Sequence, residues 1–246
     1  MNESTIRSLN LQRYFEFKLG TYPIVLSCPH GGFKTLKSVP VRSNGVIIPD
    51  KNVYILAKAL IFALKEQGIP IYYIVSKIHR KIVDLNRPPR SFVAFDQRSK
   101  SARRIHRLYH KLLQNMVSRC VSLYNRCLLI DLHGFSRPHL AYPDIIFGNI
   151  FGKSLVLKTK EKGYWGFSDI ISEVSKDFKV DDGLGITDFN LAYSGGYITH
   201  QFYKREKINA FQLEIAKYIR YDLELTRKLI DLLVAGIMKT IQRNKG

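Results

Sequence analysis

The chain has 246 residues, 46% of them hydrophobic, which is enough to bury a sizeable core and suits a single domain spanning residues 1–246. Lysine and arginine outnumber aspartate and glutamate by 39 to 20, a balance that favours anionic small molecules and, at low salt, non-specific sticking to polyanions. No apolar run reaches the roughly 18–20 residues that cross a bilayer, and Met1–Arg7 lacks the basic start and apolar core of a signal peptide. The expectation is therefore a cytoplasmic protein without membrane contact.

Basic residues are spread along the chain, denser at Arg98–Arg107 and Lys158–Lys162, with no RNP motif, zinc finger or Gly-rich phosphate loop to give them specificity. Specific nucleic-acid binding is not expected. It stands as the rival reading, with the excess of positive charge as its warrant. Cys28, Cys120 and Cys127 form no CxxC pair and read as reduced. Cys28 and Cys127 sit in apolar runs, as small buried hydrophobes do.

In chain order, Pro23–Cys28 reads as a short buried strand that delivers His30 into the turn Pro29-His30-Gly31-Gly32. Apolar residues at 53, 56, 57, 60, 61 and 64 have helical spacing, closed by Gly68 and Pro70. A strand follows at Ile71–Val75, and the stretch from Ser99 to about Ser122 reads as a basic amphipathic helix. Cys127–Leu132 is a near-continuous apolar strand that again ends in His-Gly. Asp144–Phe147 and Ala210–Ile215 are further strands, Leu223–Ile241 is a closing helix, and Gly163–Gly196 reads as an irregular loop region. Strands alternating with helices imply an α/β fold, a mostly parallel mixed sheet flanked by helices.

Two histidines at the ends of two buried strands, each followed by a glycine that would let substrate approach the backbone, suit a catalytic metal. Such a site needs about three His, Asp or Glu ligands and an open position for water. Asp131 lies two residues before His133, so both side chains leave the strand on one side and Asp131 can order a neighbouring ligand. His106 and His110 are four apart on the basic helix, but residue 107 is arginine, not the HExxH glutamate, and they read as structural.

Six motifs in order carry a family resemblance: the Pro-His-Gly-Gly turn, Asp50, Asp84-Leu85-Asn86-Arg87, Asp131-Leu132-His133, Gly195-Gly196-Tyr197-Ile198 and Gln212-Leu213-Glu214-Ile215. Over residues 23–215 the chain resembles the N-formylglutamate amidohydrolase family. The resemblance implies a fold like that of zinc exopeptidases, aspartoacylases and other phosphorylase/hydrolase-like proteins. It also implies hydrolysis of the amide of an N-acylated amino acid by zinc-activated water, with another acyl group or amino acid as the alternative substrate. One Zn(II) per chain, or another divalent ion, would be held by His30, Asp50 and His133, with Glu214 as general base. Zinc carboxypeptidases place a ligand glutamate three residues after the first histidine. Here that position is Phe33, which is why Asp50 takes the third place, although it also precedes a helix as an N-cap would. A carboxylate substrate calls for a guanidinium, so Arg87 is the first candidate, with Arg80 and Asn86 behind it and Asp84 orienting a basic neighbour. Gly195, Gly196 and Tyr197 would wall the substrate. Oligomeric state is left open.

Overall fold

The computed structural model describes residues 11–160 and 163–242. Met1–Arg7 and the last two residues of the basic stretch Lys158–Lys162 lie outside them. A seven-stranded sheet runs in the order β1-β3-β2-β4-β7-β5-β6. Its strands are β1 Phe15–Lys18, β2 Ile24–Cys28, β3 Tyr72–Ser76, β4 Cys127–Phe135, β5 Ile145–Gly148, β6 Val180–Asp181 and β7 Ile208–Ala216. The central β3, β2, β4 and β7 are mutually parallel, and β5 pairs parallel with β6. Edge strand β1 runs antiparallel to β3, and β5 antiparallel to β7, so the sheet is mixed as expected.

Every residue of β2 and β7 is buried, because helices cover both faces of a parallel sheet. Side-chain alternation sorts the strands between two cores: Ile24, Leu26 and Cys28 enter one, while Val25 enters the other. The first core lies under α1 Val53–Glu66, α3 Phe167–Val174 and the closing α6 Leu223–Gln242. The second lies under α2 Lys100–Tyr124, whose buried stripe runs from Ala102 to Cys120. Ser99 caps that helix, its side chain accepting the Ala102 N–H. All three cysteines are free and buried, and burial pushes the Cys28 thiol well up, away from a nucleophilic thiolate.

Elements that the sequence reading did not contain are β1, α3, β6 and two short helices, α4 Tyr197–Gln201 and α5 Lys217–Tyr221. The region read as irregular thus contains a two-turn helix, α3, which buries Phe167, Ile170 and Val174. No helix among the described residues is long and apolar enough to cross a membrane.

Candidate active site

Parallel strands end at one edge of the sheet, where side chains from separate strands meet. His30 follows β2 by two residues, His133 lies near the end of β4, and Glu214 is its register neighbour on β7. His30, Asp50 and His133 are all buried, and one ligand atom from each lies within 4.8 Å of the other two. The separations are 3.2 Å between the two Nδ1 atoms, 3.3 Å from His133 Nδ1 to Asp50 Oδ2, and 3.6 Å from His30 Nδ1 to the same oxygen. Donors around a tetrahedral zinc-sized ion, each at about 2.0–2.1 Å, stand roughly 3.3 Å apart. The three groups therefore fit such an ion, and they could hold a metal.

The outer nitrogen of each imidazole is engaged by a carboxylate. Asp84 Oδ1 is 2.7 Å from His30 Nε2, and Asp131 Oδ2 is 2.8 Å from His133 Nε2. Asp131 is held in turn by Ser27, whose hydroxyl donates to it at 2.7 Å. Without a cation, burial disfavours a charged His133, but Asp131 and Asp50 outweigh burial and raise its pKa well above the usual range. For Asp50 burial acts the other way and is likewise outweighed, since hydrogen bonds from His133 and His30 hold the carboxyl well below the ordinary value. The helix-cap reading of Asp50 does not hold: the N-cap of α1 is Asn52, and the Asp50 carboxylate faces His133, Gly134 N and Arg80.

A cavity of about 660 Å³ opens on this edge. The expected substrate residues Arg80, Asn86, Arg87, Gly195 and Gly196 line it, together with Glu214. Arg80 donates to Asp84 at 2.9 Å and to Asp50 at 3.3 Å, so its guanidinium binds acids of the site. Arg87 is exposed at the cavity wall. Asn86 Oδ1 accepts the Ile198 N–H at 2.8 Å, which locks the Asp-Leu-Asn-Arg segment onto the Gly-Gly-Tyr-Ile segment. Tyr197 is not among the lining residues, and its ring packs 5.1 Å from that of His110. Phe33, at the carboxypeptidase glutamate's position, is 58% exposed.

Glu214 is buried. Its Oε1 accepts from Gln212, while Oε2 has no hydrogen-bond partner among the described residues. Burial raises its pKa, and the Asp50 charge adds to that against the counter-effect of His133. At two of the site's glycines the space a side chain would enter is taken by neighbouring protein. A Cβ on Gly134 would sit 2.4 Å from the Arg220 guanidinium carbon, and one on Gly196 would sit 2.1 Å from Asn86 Nδ2, so protein fills both spaces.

Among the lining residues to which sequence reasoning assigned no role, four bear on the site's chemistry or geometry. Arg220, buried, donates to the Ile215 and Phe135 carbonyls and ties the ends of β7 and β4 together. Tyr193 keeps its phenol proton, its pKa pushed up to about 12 by burial and then by Glu214. Lys217 opens α5 at the rim. Gln212 was findable, because it precedes Glu214 by two positions and so shares its face of β7.

A strand-edge cavity holding paired histidines and carboxylates on a mixed α/β sheet is an arrangement suited to hydrolysis. The chain belongs to the N-formylglutamate amidohydrolase family, whose family model matches residues 91–219, just over half its length. Among solved structures, N-formylglutamate amidohydrolase from Ralstonia eutropha JMP134 aligns with a TM-score of 0.67 at 15% identity, over 95% of this chain and 99% of that one. A gene product of Agrobacterium tumefaciens aligns with a TM-score of 0.67 at 12% identity, over 95% and 96%. At these identities the likeness is one of fold. A comparison with curated proteins returned no sequence match.

Proposed function

We propose that the protein is a zinc-dependent amidohydrolase that cleaves the amide of an N-acylated amino acid, N-formylglutamate or a close analogue. The observation that carries this reading is the convergence of His30 Nδ1, His133 Nδ1 and Asp50 Oδ2 in a cavity that also contains the unpartnered Glu214 Oε2. The family's description and the shared fold support the choice of bond. An ion on these three ligands would polarise the amide carbonyl and lower the pKa of a water beside it.

The protein's own groups do the rest. Asp84 and Asp131 fix the proton of each imidazole on Nε2, which leaves both Nδ1 lone pairs facing Asp50. Glu214 takes a proton from the attacking water and gives it to the leaving amine as the C–N bond breaks, yielding a carboxylic acid and a free amino acid. Arg87 offers a planar fork to the substrate carboxylate, and Asn86 with Gly195 and Gly196 forms the wall beside it.

A panel of N-formyl, N-acetyl and longer N-acyl amino acids, assayed with Zn(II), Mn(II) or Co(II) added to metal-stripped protein, tests the reading. N-formyl-L-glutamate is expected to release formate in a metal-dependent way, whereas turnover that ignores both metal and chelator would rule the mechanism out. Asp131→Asn is expected to weaken zinc binding about 10–100-fold, because an amide supports the His133 tautomer less well than a carboxylate. Competition against a chromophoric chelator measures it, and an unchanged dissociation constant would remove Asp131 from the site.

A further inference from the structure

His106 and His110 stand one turn apart on α2, both buried, with ring centroids 4.4 Å apart. Each Nε2 meets a backbone carbonyl at 2.9 Å, that of Arg87 for His106 and that of Leu85 for His110. A carbonyl oxygen only accepts, so Nε2 carries the proton in both rings. His110 Nδ1 accepts from Gln201 Nε2 at 2.8 Å, and Gln201 Oε1 accepts from Gln114 Nε2 at 2.9 Å, so the two amides form one hydrogen-bonded run that ends on the ring. An amide nitrogen only donates, so His110 is neutral and in a single tautomer. Burial agrees with this, pushing His110 down to about 3 and His106 below its ordinary value.

The two carbonyls bracket Asn86, and the residues on that short segment face the reaction centre. Asp84 holds His30, and Asn86 Nδ2 donates to Gln212 Oε1 at 3.3 Å while lying 3.1 Å from His133 Nε2. Arg87 lines the cavity. Tyr197 packs against the imidazole pair, its ring centroid 5.1 Å from that of His110 and 6.1 Å from that of His106. A rigid, uncharged N–H at the end of a planar arm suits this place, because a lysine would bring a charge into the apolar layer beneath the site.

We propose that His106 and His110 are positioning residues of the hydrolytic site: through the Leu85 and Arg87 carbonyls they hold Asp84, Asn86 and Arg87 in register with His30, His133 and substrate. The assignment rests on the amidohydrolase reading given above, and zinc affinity tests it independently of turnover. His106→Leu and His110→Leu remove the donor and keep apolar bulk, whereas His106→Gln and His110→Gln return an amide N–H near the lost Nε2. KM and kcat, the zinc dissociation constant from chelator competition, and the melting temperature of the metal-free protein are measured on all four.

The Leu variants are expected to bind zinc about tenfold more weakly and to show a raised KM, with the Gln variants recovering most of both. Leu variants that melt earlier yet keep wild-type zinc affinity and KM would make the histidines ordinary core residues and overturn the proposal. Should the Leu variants fail to fold, imidazole nitrogen NMR of the wild type decides: both rings neutral and protonated on Nε2 at neutral pH is the expected result, and a charged or Nδ1-protonated ring overturns it. If the wild type turns over no N-acyl amino acid, the amidohydrolase reading falls, while zinc affinity across the variants still accepts or rejects the positioning role.

Discussion

His133→Ala is expected to abolish zinc binding and to lower kcat/KM by roughly a thousandfold or more, since the proposed mechanism relies on the metal to acidify the attacking water. Metal analysis after demetallation and zinc refill reads the first effect, and formate release reads the second. The ligand set explains the size. Among the described residues, His133 contributes one of three converging candidate ligand atoms, and its Nδ1 is 3.2 and 3.3 Å from the other two. The substitution also leaves Asp131 buried with Ser27 as its remaining close side-chain partner, so the variant should melt earlier. His30→Ala serves as the companion, because it empties the same position while stranding Asp84, which keeps Arg80. Stoichiometric zinc retained by both folded variants would dismantle the site described here.

Much of the candidate site is legible in the sequence, for a physical reason. A strand buried on both faces reads as an unbroken apolar run, and the polar residue that ends it is noticed because it breaks the run. β2 and β4 announce His30 and His133 in this way, and β7 announces Glu214 amid Phe211, Leu213 and Ile215. Edge strand β1 carries only Phe-Glu-Phe-Lys and is partly exposed, so its signal was too short to separate from a loop. Helix α3 has Phe167, Ile170, Ile171 and Val174 at helical spacing, but it is only eight residues long inside a stretch whose Gly and Asp content reads as an irregular loop region.

Contacts across the sheet were the illegible part. Nothing local to Asp84 says that it meets His30, which lies 54 positions away, and nothing local to Arg220 says that it fills the space beside Gly134. The ordered motifs gain their meaning from these pairings. Asp-Leu-Asn-Arg binds His30 through its aspartate and the Gly-Gly-Tyr-Ile segment through its asparagine, so the motifs spaced along the sequence form one hydrogen-bonded layer around the cavity.

Glu214→Gln is expected to keep metal at wild-type stoichiometry and to lose kcat by about 10²–10⁴-fold with KM little changed, the signature of a lost general base. Its carboxylate lies outside the three converging ligand atoms, and glutamine preserves the Oε1 acceptor for Gln212 while removing the basic oxygen. A second, independent readout follows from the raised pKa of Glu214, whose first cause is burial. An acid whose folded-state pKa is raised above its ordinary 4.5 binds its proton more tightly in the folded protein. Its contribution to stability is therefore greatest at low pH and declines as pH rises from about that value through the folded pKa. Glutamine does not titrate, so the metal-free variant should gain in melting temperature relative to metal-free wild type as pH is raised from the acid side to neutrality. Loss of the acidic limb of the kcat/KM profile in the variant would accompany it. A Gln variant that turns over at the wild-type rate, or whose relative stability falls over that pH range, would remove Glu214 from the role of base.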